Sequence, residues 1–359
     1  MENGAATKAD QNTAGHEAIT IELFSNGDEQ RWDDYIFSRD DSTFFHRIGW
    51  RKILEKTLNH KSYYLLAKTN AGDIKGVMPL GHIKSKLFGN SLISLPFAVY
   101  GGAIADTREI KTMLEKRACQ IAEDLKVDAL ELREREICYP DWPTKELYVT
   151  FRKEISLDHE ENLKAIPRKQ RAVVRKGIKA ELISEIDTDI DRFFHAYSFS
   201  VWRLGTPVFP KKYFQAIKDE FANDCDIVTI LKDKEVIASV MNFYFKNEVI
   251  PYYGGGTDAA RAYKGNDFMY WEVMRRAADK GYTIFDYGRS KIGTGAYSFK
   301  KNWGFEPQPL PYQYYLVKAN QMPEINPLNP KYRLFVNGWK KMPLSLSRKI
   351  GPLLAKNLG

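Results

Sequence analysis

The sequence predicts an α/β (α+β) chain of two tandem units, each a mixed central sheet with flanking helices, followed by a basic tail. Three observations predict it. The chain has 359 residues, which suits two domains at roughly 150 residues each. Its composition, 43% hydrophobic and 28% charged, supplies enough apolar surface for packed cores and excludes disorder as the main state. One order of elements also occurs twice: paired strands, a Tyr-Gly-Gly punctuation, a helix, and a short strand carrying an acid.

In the first half, Tyr63–Lys68, Ile74–Leu80 and Leu92–Leu95 read as strands, the first two joined by the turn Asn70-Ala71-Gly72-Asp73. Tyr100-Gly101-Gly102 follows as a strand end. Thr107–Leu125 carries Ile110, Met113, Leu114, Ala118, Ile121 and Leu125 at helical spacing. Ala129–Arg133 closes the unit. In the second half, Asp226–Leu231, Val236–Phe245 and Val249–Tyr253 read as strands, and Gly254–Gly256 as the glycine end. Phe268–Lys280 reads as a helix stopped by Gly281, and Thr283–Tyr287 as the closing strand. Duplication of one ancestral unit is the simplest account. The expected division is a disordered leader over 1–18 and units over 19–160 and 161–316, with a basic helix at 167–180 and a basic amphipathic tail at 317–359.

The formal net charge of +8 is concentrated. Residues 162–180 hold seven basic residues and no acid; residues 318–359 hold eight and one. The remaining body is therefore acidic, which points to two particular contacts rather than general adhesion to polyanions. Three separated cysteines, Cys119, Cys138 and Cys225, fit no disulfide framework or zinc spacing and suit a reducing compartment. No apolar run approaches the ~18 residues of a membrane span. There is no P-loop, HExxH, GxSxG or strand-borne GxGxxG motif, so the common signatures of ATP, NAD, zinc and serine-hydrolase chemistry are absent. The expected location is the cytoplasm, with possible contact to a membrane surface.

A strand that ends in glycines before a helix leaves backbone N–H groups for an anion or an acyl carbonyl. Gly254, Gly255 and Gly256, then Arg261, Lys264, Gly265 and Asn266, form that pattern and are the donor-binding candidates. The alternative is a strand ended by an unusual turn. After Pro167, a good first helical residue, Arg168, Arg171, Arg175 and Lys179 fall within an arc of about 80° on one helix face. Such a stripe suits a polyphosphate, and it is expected to face the acceptor in an interdomain cleft. A merely solvated face is the competing account. Arg203 and Thr206 in Arg203–Phe209, together with Tyr253 and Arg289, complete the expected cleft. Asp286, an acid among apolar neighbours, is either a general base or a partner for Arg289. Tyr253 and Tyr297 offer hydroxyls for positioning or proton handling. The tail mixes Trp339, Leu344, Leu346, Ile350, Leu353 and Leu354 with basic residues, with Pro343 and Pro352 as breaks. It reads either as an interfacial segment or as a strap across the protein.

The strand-hairpin, glycine end, helix and strand order resembles the GNAT acyltransferase fold. Ile166–Lys176, Leu204–Val208, Phe285–Lys291 and Gly293–Phe305 together resemble the FemAB-like proteins, in particular the branch associated with exosortase/PEP-CTERM exopolysaccharide loci. The resemblance covers roughly residues 20–350. It implies two tandem GNAT domains with a cleft between them, and transfer of an acyl or aminoacyl group to an amine without a metal or bound cofactor. The co-substrate would be acyl-CoA or aminoacyl-tRNA. Arg261–Asn266 is one residue longer than the usual GNAT donor loop and lacks its last small residue. No long helical-hairpin arm is present in the second half. In the Fem proteins a Phe-Lys pair follows the last core strand, a place that Phe299 and Lys300 occupy. The resemblance thus implies Lys300 as an electrostatic catalyst and Phe299 beside the acceptor.

The function expected is N-acyl transfer to a phosphate-bearing cell-envelope or exopolysaccharide precursor. The alternatives are a peptidoglycan-type aminoacyl-tRNA-dependent transferase and, from another class, a non-catalytic GNAT tandem that binds a lipid-linked glycan as an assembly factor.

Overall fold

The computed structural model describes residues 18–323 and 330–358. The expected leader, Met1–Glu17, lies outside them, as do residues 324–329 of the tail. The first half comprises β1 (Ile19–Leu23), α1 (Glu29–Ser38), α2 (Gly49–Leu58), β2 (Lys61–Ser62), β3 (Leu65–Thr69), β4 (Ile74–Met78), β5 (Gly81–Ser85), β6 (Gly89–Ile93), β7 (Ile104–Ala105), α3 (Arg108–Asp124), β8 (Ala129–Leu132) and β9 (Thr144–Glu154). The second comprises α4 (His159–Ala165), α5 (Arg168–Lys179), β10 (Ile183–Ile186), α6 (Asp191–Leu204), α7 (Lys211–Phe221), β11 (Cys225–Lys232), β12 (Glu235–Phe245), β13 (Glu248–Gly256), α8 (Asp258–Tyr263), α9 (Gly265–Asp279), β14 (Ile284–Asp286), β15 (Ser290–Lys291), α10 (Gly295–Asn302) and β16 (Pro307–Leu316). The tail adds α11 (Pro330–Lys341) and α12 (Leu344–Ala355).

β1, β3, β4 and β7 form a four-stranded sheet. A twelve-stranded sheet runs β10-β11-β12-β13-β14-β9-β16-β8-β6-β5-β2, with β15 beside β9. The order shows that the units exchange strands. β9, which follows the first unit, pairs with β14 of the second (Phe285 opposite Lys153). β16, which follows the second unit, pairs with β8 of the first (Tyr314 opposite Glu131). The two exchanged strands pair with each other in the middle. The contiguous division at residues 160 and 161 therefore does not follow the sheet.

Each half has a parallel pair flanking a helix: β6 with β8, and β13 with β14. The helices between them, α3 and α9, bury the apolar stripes read from sequence, including Leu114, Ala118 and Ile121 on α3. Tyr100-Gly101-Gly102 is a correction. It lies in the loop between β6 and β7, not at a strand end: Tyr100 bonds Thr150 on β9 and Asp286, and the Gly101 N–H donates to the Arg133 carbonyl.

One aromatic core spans both units. Phe44 stacks on Phe243 with centroids 4.4 Å apart and planes 7° apart, and α2 packs on α7, where Lys52 meets Glu220 at 2.6 Å. Beside this core, fully buried Asp286 accepts hydrogen bonds from the Tyr100 hydroxyl at 2.6 Å, the Thr150 hydroxyl at 3.2 Å and the Gly288 N–H at 2.7 Å. The first unit, an exchanged strand and the second unit thus meet on one carboxylate.

A buried polar group stripped of its partner costs about 1–3 kcal/mol. Tyr100→Phe should therefore lower unfolding free energy by about 1–3 kcal/mol, and Asp286→Ala by more, since it strands two hydroxyls and an N–H. Urea denaturation followed by circular dichroism checks this; two variants within 0.5 kcal/mol of the wild type, about the size of a neutral surface change, would contradict it.

Candidate functional site

A cavity of ≈ 700 Å³ opens between the units, within the ~300–1,000 Å³ usual for ligand pockets. Its cationic side is made by the exchange: Arg133 follows β8, Lys145 is on β9, Arg289 follows β14, and Lys291 is on β15. The one acid there, Glu131, pairs with Arg133 at 2.7 Å. Arg289 lies over the Tyr148 ring at 4.6 Å and the Tyr312 ring at 5.6 Å. Burial, with the Arg289 and Lys145 cations adding to it, pushes the Lys291 ammonium down to about 8. An anion entering the cavity relieves that repulsion.

The turn carrying Arg289 is held from below. Lys300 Nζ donates to the carbonyls of Tyr287 at 2.7 Å, Gly288 at 2.9 Å and Arg289 at 3.2 Å. Burial pushes the ammonium down to about 7; Asp286 opposes and Arg289 adds to that shift. An ammonium has three donors, and all three are used. In this structure Lys300, expected as an electrostatic catalyst, holds the loop that presents Arg289. Asp286 likewise partners Tyr100, Thr150 and Gly288 rather than Arg289.

β13 has no strand partner on its β14 side over most of its length. It pairs in parallel with β14 only at Glu248 opposite Ile284 and Val249 opposite Phe285. Beyond that the strands diverge, while β13 continues to Gly256 against β12. The edge freed by the divergence offers backbone groups to an amide-bearing chain. The N-terminus of α9 stands beside it. Lys264 takes the left-handed conformation (φ 60°) between α8 and α9, so Arg261–Asn266 is a helix end, a sharp turn and a new helix start rather than an open loop. The glycines let helices close on the strand. A Cβ on Gly255 would sit 2.7 Å from Ser200 Cβ on α6, and one on Gly256 would sit 2.7 Å from Ala260 Cβ and Asn266 Oδ1.

The other expected residues fall in several places. Arg289 and Thr206 line the cavity. Arg168, Arg171 and Arg175 do not: α5 packs on the start of α9, where a Cβ on Gly177 would be 2.9 Å from Phe268 Cβ and Gln170 bonds Asp267. The basic stripe occupies the opposite face, with Arg168 and Arg175 exposed, and lines none of the inter-unit cavity. Arg203 pairs with Asp258 at 2.5 Å near the surface. Tyr253 bonds Tyr213 at 2.8 Å inside the aromatic core. Tyr297 packs edge-on against Phe151, and Phe299 against Tyr270. Sequence reasoning missed Glu131, Arg133, Lys145 and Lys291 as site residues; all but Lys145 stood in motifs already singled out. In the first unit, Glu115, Glu134 and Cys138 hold potential ligand atoms within 4.8 Å of one another, but Lys111 Nζ already lies 2.9 Å from Glu134.

Residues 162–301 match the family model for the acetyltransferase (GNAT) domain. Among solved structures, FemX superposes with a TM-score of 0.63 at 15% identity, over 88% of this chain and 100% of that one. A tandem GNAT protein from the clavulanic acid biosynthesis pathway gives 0.53 at 10% identity, over 85% and 100%. The chain has the tandem GNAT fold. The C-terminal domain of a putative lysylphosphatidylglycerol synthetase from Agrobacterium fabrum shares this fold at a TM-score of 0.51 and 13% identity, over 82% and 92%. No curated protein matches the sequence. No helix among the described residues is long and apolar enough to cross a membrane.

Lys300→Met leaves three carbonyls without their donor and frees the Arg289 turn. It should lower stability by about 2 kcal/mol or more and raise the acceptor KM more than it lowers kcat. Thermal denaturation and steady-state kinetics check this. Unchanged stability and KM with kcat abolished would return Lys300 to the reacting carbonyl.

Proposed function

We propose that this transferase moves an acyl or aminoacyl group to an amine on a phosphate-bearing cell-envelope or exopolysaccharide precursor. The carrying observation is the pairing of two sites on one strand–turn unit: the β13–β14 divergence on one side of β14, and the cationic cavity reached by Arg289 just after it. The donor's arm lies along the free edge of β13 at Gly254–Gly256. Its phosphates meet the N-terminus of α9 at Gly265 and Asn266, with Lys264 and Arg261 nearby. A backbone N–H on that edge polarises the acyl carbonyl. The acceptor's phosphate binds Arg289 and Lys291, which holds its amine in line with the carbonyl. Lys300 and Asp286 position this turn. The FemX fold supports the FemAB-like reading; the exosortase-associated branch rests on the sequence resemblance alone. The expected place of action is the cytoplasm, at the membrane surface where envelope precursors are carried.

A second donor reading has its own observation. The α5 stripe is solvent-facing and has no acid along its helix, and α5 packs on the start of α9, where the donor's phosphates are proposed to bind. Acyl-CoA does not need so extended a cationic face; aminoacyl-tRNA, a polyanion, does. Its match with FemX, and with the lysylphosphatidylglycerol synthetase domain, is compatible with either donor.

Mass spectrometry of phosphate-bearing envelope precursors from cells lacking the protein tests the transfer. The expected pool is lighter by one acyl or aminoacyl group, restored by the wild type and not by Arg289→Glu. Unchanged precursor masses alongside a lost cellular function would favour the non-catalytic assembly factor. In vitro, Arg168→Glu with Arg175→Glu should raise the KM of a tRNA-borne donor at least tenfold and leave a CoA-borne donor unaffected.

A further inference from the structure

The cavity has two chemically different halves. One is the cationic floor, where the electrostatic neighbours of Arg289 and Lys291 are tyrosines and other cations rather than carboxylates. The other is aliphatic. Leu204 at the end of α6, Phe335 and Val336 on α11, and Leu354 on α12 form it, facing Ile83 and Ile93 of the first unit. Large apolar side chains stand in solvent where these walls meet the surface: Leu87 is 73% exposed, Leu204 67% and Phe335 38%. All three line the same cavity. Leu334 and Leu353, each next to a lining residue, are exposed as well.

The apolar wall is a fixed part of the molecule. Trp202 Nε1 donates to the Met342 carbonyl at 2.8 Å, and Arg348 Nε to the Ser198 hydroxyl at 2.9 Å. Gly351 is bare where Val208 backbone atoms would lie 3.0 Å from a Cβ. The His60 ring meets the Lys356 carbonyl at 2.5 Å and ties the tail to the first unit. A nucleotide or free sugar phosphate leaves such a wall unused and its own hydroxyls unpaired. A hydrocarbon chain covers it.

We propose that the inter-unit cavity binds a phosphate-bearing lipid, with the phosphate against Arg289 and Lys291 and the hydrocarbon chain along Leu204, Phe335, Val336 and Leu354. The tail helices α11 and α12 are then the receptor for the chain, and the exposed rim at Leu87, Leu204 and Phe335 is the door through which it enters from a membrane. That this lipid is the transfer acceptor rests on the function proposed above; that the cavity binds it does not.

Dodecyl phosphate, below its micelle concentration, is the probe. Isothermal titration of the full chain at pH 7 should show one site, at least 100-fold tighter than inorganic phosphate. Lys291→Glu should weaken it at least tenfold. Leu204→Glu, a change at an exposed rim position that leaves the fold intact by circular dichroism, should weaken dodecyl phosphate at least tenfold without affecting inorganic phosphate. Affinity should fall as pH rises from 7 to 9, because Lys291 loses its proton near 8. Equal affinity for inorganic phosphate overturns the lipid assignment. Absence of binding, or binding that both variants leave intact, overturns the site. The titration needs no donor and no turnover, so failure of the transfer reaction and failure of lipid binding are read separately.

Discussion

β9 leaves the first unit to lie on β14 of the second, and β16 leaves the second to lie on β8 of the first. Neither half can close its own sheet without the other. Backbone groups on a strand edge must find partners when buried, and here each edge finds them on the neighbour's strand. The shared core follows, with Phe44 against Phe243. So does the cavity, whose cations arrive on β9 and on the segments that follow β8 and β14. Ordinary tandem packing of two closed sheets would leave these cations on separate surfaces.

The exchange also explains why so many polar groups near the site are buried yet paired. Asp286 ties three parts of the chain together, and Lys300 satisfies three carbonyls at once. These two residues look catalytic in sequence because an acid in an apolar strand and a lysine after an aromatic are chemically conspicuous. In space they are the fasteners of a turn. Arg289 and Lys291, borne by that turn, are the residues that face the cavity. In the proposed reaction, catalytic power comes from holding two substrates in line and from fixed dipoles along the edge of β13.

The local grammar of the chain was readable. The helices α3, α5 and α9 and the strands β11, β12 and β13 follow from apolar periodicity and proline or glycine punctuation. The repeat correctly announced two related units. What periodicity does not encode is partnership between distant strands, so β9 and β16 were invisible as exchanged elements, and with them Lys145 as a site residue. The arginine stripe on α5 was legible as a stripe, but its direction depends on Gly177 and Gln170 packing on α9, a tertiary fact. Tyr253 looked like a site hydroxyl because it precedes the glycines; its neighbours Tyr213 and Phe214, on α7, place it in the core. The tail's ambiguity between strap and interfacial segment resolves toward a strap through Trp202, Ser198 and His60, and α12 runs through Pro352 instead of breaking there.

The central claim is that the second unit carries the donor and the inter-unit cavity the acceptor. Crystal structures with coenzyme A and, separately, with a short aminoacyl-RNA analogue test it most directly. The account predicts that whichever donor binds runs between β13 and β14, with its phosphates at the start of α9 and its acyl end toward Arg289. A donor lying instead between β6 and β8 of the first unit would contradict it.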